Sequence, residues 1–168
     1  ITGAPSSGKT TVIKKVIEGL SRPANGFYTE EEREGERRVG FKITTLSGQS
    51  GSLAHENIDS HYHIKRYGVS IENIDHIAGP SIETVDDNIV IIDEIGKMEC
   101  FSDIFKDAAL RALNSSNTVI GTITFGGDEF IESLKEREDI EILEVTPENR
   151  DQLPEVILKK IGEGNIEE

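Results

Sequence analysis

Gly3-Ala4-Pro5-Ser6-Ser7-Gly8-Lys9-Thr10-Thr11 reads GxxxxGK followed by threonine, and a helical pattern opens at its end. This is the Walker A spelling of a phosphate-binding loop. Its glycines let backbone N–H groups turn inward around a polyphosphate, Lys9 can reach the β and γ phosphates, and the Thr10 hydroxyl can ligate Mg²⁺. Average residue frequencies produce the spelling by chance in roughly one chain of this length in a hundred or two hundred, so its context has to be read as well. Downstream, Val12, Ile13, Val16, Ile17 and Leu20 form an apolar stripe with Lys14, Lys15 and Glu18 outside it. That spacing predicts a helix of about three turns, its positive end facing the same anion. A buried strand should precede the loop. Only Ile1 and Thr2 of it stand in the sequence, so we expect a first strand truncated at Ile1.

The second informative stretch is Ile89-Val90-Ile91-Ile92-Asp93-Glu94-Ile95-Gly96. A continuous β-branched run marks a strand buried on both faces of a parallel sheet. Asp93 at its end can hold a nucleotide's metal through water, and Glu94 can orient or deprotonate an attacking water. Two acids that merely cap the next helix are the bland alternative. The pairing of this stretch with the phosphate loop favours the catalytic one.

Around these two motifs the chain alternates. Phe27 and Thr29 before a Glu34-Gly35 turn, with Val39, Phe41 and Ile43 after it, predict a β-hairpin. Its arginines, Arg33, Arg37 and Arg38, either sit in solvent or reach over the triphosphate to stabilise charge on the γ-phosphoryl group. Ser47 to Lys65 is polar and glycine-rich, with His55, His61 and His63 scattered through it; the His61-x-His63 pair can bind zinc, but no third or fourth ligand stands at suitable spacing. Ile71, Ile74, Ile77 and Ala78 predict a short helix ended by Gly79-Pro80. A helix face of Ile104, Phe105, Ala108, Ala109, Ala112 and Leu113 follows, then a strand over Val119 to Ile123 and a flexible loop from Thr124 to Asp128. A helix over Phe130 to Glu138, a last strand over Ile140 to Val145, a helix opening at Thr146-Pro147 and a frayed tail from Gly162 complete the chain. The expected class is α/β, one domain over residues 1–168, a mostly parallel central sheet flanked by helices with an inserted β-hairpin.

Composition narrows the partners. Against 18 basic residues stand 32 acidic ones, a formal charge of −14, which repels nucleic acid and anionic lipid. No apolar run approaches the roughly 18 to 20 residues of a membrane span. The single cysteine, Cys100, cannot form an intramolecular disulfide, which fits a reducing cytoplasm. With high charge and no obvious apolar patch, we expect a monomer.

With the motifs placed, the chain resembles the THEP-type nucleoside-triphosphatase family, whose animal members are called cancer-related nucleoside-triphosphatases. The resemblance covers essentially the whole chain. It rests on GAPSSGKTT from Gly3, GFYTEEEREGERRVGFKITTLSG from Gly26, IVIIDEIGKMECFS from Ile89, GTIT from Gly121 and VTPENRD from Val145. It implies a P-loop NTPase fold and Mg²⁺-dependent hydrolysis of ATP, GTP, CTP and UTP to diphosphate and phosphate, with little preference among bases. Carried over, the nucleotide site is Gly3 to Thr11 together with Ile89 to Gly96, with Lys9 and Glu94 catalytic and with Thr10 and Asp93 on the metal. Lys97 either lies near the phosphates or faces solvent, and Asn149 and Arg150 either border the base or cap the closing helix. Two rival readings share the fold: a kinase passing the γ-phosphoryl group to an acceptor, and a nucleotide-dependent switch. Glu94 favours water, the nucleophile a kinase must exclude.

Overall fold

The computed structural model describes residues 1–163; the tail expected to fray from Gly162 lies, beyond Glu163, outside the described residues. The buried run becomes strand β6, Ile89–Ile95 (preceded in the chain by β1 to β5, below), and its first four residues are fully buried. Their side chains alternate between two cores. Ile89 and Ile91 pack with Val12, Ile13 and Val16 of helix α1, Lys9–Glu18, and with Leu153 and Ile157 of the closing helix, Leu153–Lys160. Val90 and Ile92 pack on the opposite face with Phe27, Phe105, Ile131 and Leu134. A strand covered by helices on both sides must read apolar at every position, as this one does.

β6 lies between two parallel neighbours, β1 (Ala24–Glu34) and β7 (Val119–Ile123). The approach of β1 is close at Gly26, which has φ 130°, and a Cβ there would fall 1.9 Å from the Ile91 carbonyl oxygen. Only glycine fits. Ile1 continues the parallel part of the sheet beyond β7, its nitrogen donating to Gly121 O and its carbonyl accepting from Ile123 N–H. On the other side β1 pairs antiparallel with β2, Arg37–Thr45, as the hairpin reading predicts. The antiparallel wing then grows wider than a hairpin, through β3 (Ser50–His55), β4 (His63–Ile64) and β5 (Tyr67–Val69), giving the order β4-β5-β3-β2-β1-β6-β7.

The helices cover both faces. Beneath the wing α2, Ile71–Asn73, runs through a π turn, Ile74–Ala78, into α3, Gly79–Ser81. The Gly79-Pro80 stop is therefore misplaced: the helical run continues through both residues to Ser81, with Pro80 directly after the π turn. Next come α4 (Asp103–Asn114), α5 (Glu129–Lys135) and α6 (Leu153–Lys160). On α4, Phe105, Ala108, Ala109 and Ala112 face the core, while Ile104 is 52% exposed instead of buried. Helix α5 starts one residue early, where the Asp128 carboxylate caps Ile131 N–H, and ends three residues before Glu138.

Two expectations at the end of the chain fail. Ile140 to Val145 is not a ladder strand. Among the described residues it holds one parallel bridge, Thr2 with Glu144, with Thr2 N–H donating to Leu143 O and Val145 N–H to Thr2 O. The closing helix opens at Leu153 rather than Thr146, because Asn149 folds residues 146–150 into a turn: Thr146 N–H donates to its Oδ1 and its Nδ2 donates to Glu144 O. An asparagine bonded to its own backbone competes with helix.

Candidate active site

The carboxyl ends of the parallel strands and the loop before α1 face one cleft of about 820 Å³, with the β1–β2 hairpin as its far wall. Pro5, Ser6, Ser7, Gly8, Lys9, Thr10 and Thr11 line it, as do Asp93 and Glu94. The loop has the backbone of an anion cradle: Ser6 and Gly8 take positive φ (61° and 101°), and a Cβ at Gly3 would meet Ser7 Oγ at 2.7 Å. Lys9 Nζ folds onto the loop, donating to Gly3 O at 3.0 Å and to Ala4 O at 3.4 Å. It also lies 3.9 Å from Glu94 Oε2. The cradle, its lysine and the glutamate thus converge on one point.

Asp93 is 1% exposed. Its Oδ1 accepts a 2.6 Å hydrogen bond from Thr122 Oγ1 on β7, while its Oδ2 is buried without any hydrogen-bond partner. Burial pushes this carboxyl up from its ordinary value, against the pull of Thr122, Thr10 and Lys9. Burial likewise raises Glu94, with Asp93 adding to the rise and Lys9 opposing it. A third acid, Glu99, is buried beside them and held well above the usual carboxylate range by burial and by the charge of Glu94. Glu94 Oε1 and Glu99 Oε2 both lie 2.8 Å from where a Cβ at Gly96 would sit. Any side chain at Gly96 would displace both.

Three comparisons bear on this arrangement. Residues 1–158 match the family described as NTPase. The chain belongs to this family. Nucleoside-triphosphatase THEP1 of Thermotoga maritima is 43% identical over 160 residues, spanning 94% of this chain and 91% of that protein. The human cancer-related nucleoside-triphosphatase is 36% identical, spanning 94% and 93%. The crystal structure of THEP1 from the hyperthermophile Aquifex aeolicus superposes with a TM-score of 0.86 at 33% identity, covering 95% of each chain. The α/β fold and its P-loop architecture are those of the NTPase family.

Within this NTPase-family fold the sequence-predicted residues separate. Pro5 to Thr11, Asp93 and Glu94 come together on the cleft, and Gly3 and Ala4 serve through their carbonyls. Ile89, Val90, Ile91, Ile92 and Ile95 do not reach it. They are buried core, and their part is to aim Asp93 and Glu94. Gly96 gives room to two carboxylates. Lys97 lines the cleft. Arg33 and Arg38 line it too, both tied to the Glu31 carboxylate, whereas Arg37 turns away to Glu56. His61 and His63 are exposed on the wing, away from the loop. Sequence reasoning missed Glu99 and Thr122. An acid inside the apolar run Met98-Glu99-Cys100-Phe101 was the available signal for the first; a threonine in a strand carries no signal for the second.

Proposed function

We propose that the chain hydrolyses nucleoside triphosphates to diphosphate and phosphate, with Mg²⁺ and with broad tolerance of the base. The observation that carries the reading is Glu94 beside Lys9: a carboxylate 3.9 Å from the phosphate-loop lysine, at the end of the buried strand next to the loop. In this reading the loop amides from Ser6 to Thr10 and the positive end of α1 hold the β and γ phosphates, and Lys9 leaves the Gly3 and Ala4 carbonyls to neutralise charge on them. Glu94 orients a water against the γ-phosphorus and takes its proton as the new P–O bond forms; the bond to the β–γ bridging oxygen breaks and the diphosphate leaves.

The metal fits the residues present. The orphaned Asp93 Oδ2 and the Thr10 hydroxyl supply one carboxylate and one hydroxyl, with water and phosphate for the rest, the sparse protein share that Mg²⁺ favours. When bound, Mg²⁺ would screen the charge of the triphosphate. We also read the chain as a cytoplasmic monomer that acts on free nucleotides, neither on nucleic acid nor at a membrane. The −14 charge and the lone, buried Cys100 support this; no helix among the described residues is long and apolar enough to cross a membrane.

The test is phosphate release with Mg²⁺ and each of ATP, GTP, CTP and UTP, with and without candidate phosphate acceptors. Steady release from all four without an acceptor is expected. In Glu94→Gln turnover falls about 10² to 10⁴-fold with nucleotide binding retained, and in Lys9→Ala both are lost. Silence until an acceptor is added would make the chain a kinase instead.

A further inference from the structure

Glu99 is an acid that the chemistry of the cleft leaves without a task. It is 3% exposed, makes no ion pair among the described residues, and lines the cleft together with Glu94. A buried carboxyl with no cation to meet it either serves a neighbour or burdens the fold.

The backbone around Gly96 brings the two acids together. The chain leaves β6 at Ile95, passes Gly96 and closes a single helical turn, Glu99–Phe101, in which Cys100 N–H donates to Gly96 O at 3.0 Å. Cys100 is buried in the core and Phe101 packs against it, so the turn is anchored. It returns the Glu99 carboxyl to the space over Gly96. Glu94 Oε1 and Glu99 Oε2 each lie 2.8 Å from where a Cβ at Gly96 would stand, and so within twice that distance of each other. The other oxygen of Glu94, Oε2, is the one toward Lys9. The φ of Gly96 lies outside the left-handed region, so the backbone does not demand a glycine there; the two carboxyls do.

Two carboxylates do not both stay ionised in one buried space. Burial raises both acids, but at Glu94 Lys9 opposes the rise, whereas at Glu99 the charge of Glu94 adds to it. Glu99, the deeper of the two, therefore keeps the proton. We propose that Glu99 is a positioning residue for the hydrolytic step, its carboxyl O–H donating to Glu94 Oε1 so that Oε2 is left as the oxygen that faces the attacking water. The inference rests on reading Glu94 as the carboxylate that orients this water. One contact then selects the basic atom and fixes its direction, and a reacting group held in direction is where catalytic rate is most sensitive to small displacements.

Steady-state phosphate release from Mg²⁺-ATP, paired with calorimetric affinity for the non-hydrolysable imido analogue of ATP, tests it in Glu99→Met, Glu99→Gln and Gly96→Ala. Methionine keeps the length and removes the donor, so kcat should fall about 10²-fold while KM and the analogue affinity stay at the parent's values. Glutamine supplies an uncharged donor and should return most of that loss. The methyl of Gly96→Ala, wedged between the carboxyls, should lower kcat in the same way, and it carries the test should Glu99→Met fail to fold. In a Glu94→Gln background Glu99→Met should lower kcat no further, because no carboxylate is left to position. An unchanged kcat in Glu99→Met, a loss that glutamine does not restore, or a matching loss of analogue affinity would overturn the proposal and leave Glu99 a structural acid. Additive losses in the double variant would overturn it too, since Glu99 would then act without Glu94. A folded parent that releases no phosphate, or a Glu94→Gln variant as active as the parent, would remove the hydrolytic reading itself, and both are seen before any Glu99 variant is made.

Discussion

At the scale of single residues, the site is a set of carboxyls kept under tension by burial. Asp93 has one oxygen satisfied by Thr122 and one by nothing. Thr122→Val keeps the shape and removes the donor, so it should cost about 1 to 3 kcal/mol in urea unfolding, the range for stranding a buried acceptor. Thr122→Ser should return most of it; a silent valine variant would mean that this hydrogen bond contributes no net stability. Glu99 gives a pH prediction. Its native pKa is raised, by burial first and by the charge of Glu94 second. Above the unfolded value, about 4.3, the native state therefore binds more protons than the unfolded chain, and stability falls as pH rises from there toward the raised native value. Glu99→Gln removes the titrating proton. Its melting temperature in EDTA should gain on that of the parent as pH goes from 5 to 9, and a constant gap between the two would show that Glu99 does not hold its proton in the fold.

At the scale of elements, the β1–β2 hairpin separates three arginines that look equivalent in sequence. Arg33 and Arg38 share Glu31 at the cleft wall, and Arg38 also donates to the Tyr67 hydroxyl at 3.1 Å. Arg37 is spent on Glu56. Arg37→Ala should leave turnover unchanged, while Arg33→Ala or Arg38→Ala should lower it with nucleotide affinity retained. Equal effects at all three positions in steady-state assays would exclude a hairpin arginine acting on the γ-phosphoryl group. The alternation that placed this hairpin could be read from Phe27, Val39, Phe41 and Ile43, and the phosphate loop and buried β6 could be read because their residue types have few other uses. What could not be read depended on partners. The strands β3 to β5 hide in a polar, glycine-rich stretch whose pairing comes from β2. The segment from Ile140 to Val145 has a strand's composition, but among the described residues it makes a single bridge, Thr2 with Glu144. The turn that Asn149 closes inside Glu144-Val145-Thr146-Pro147-Glu148-Asn149-Arg150 shows only in the fold.

At the scale of the whole molecule, one strand ties two cores together and carries Asp93 and Glu94 to the cleft. Ile91 faces the cluster under α1 and α6, and Ile92 faces the cluster under α4 and α5; both are fully buried. Truncating either to alanine leaves a cavity in a different layer, each costing about 2 to 5 kcal/mol. If the layers were independent, Ile91→Ala would loosen α1 and the phosphate loop, and Ile92→Ala would spare them. Because both layers close on β6, and a domain of this size normally unfolds as a unit, each variant should instead unfold in a single denaturant transition, its fluorescence and far-UV signals coinciding and its m-value like the parent's. Below that transition both should keep the parent's nucleotide affinity, since neither side chain touches the cleft. Two separated transitions in Ile91→Ala would show that the helix bearing the phosphate loop folds apart from the sheet that carries Asp93 and Glu94.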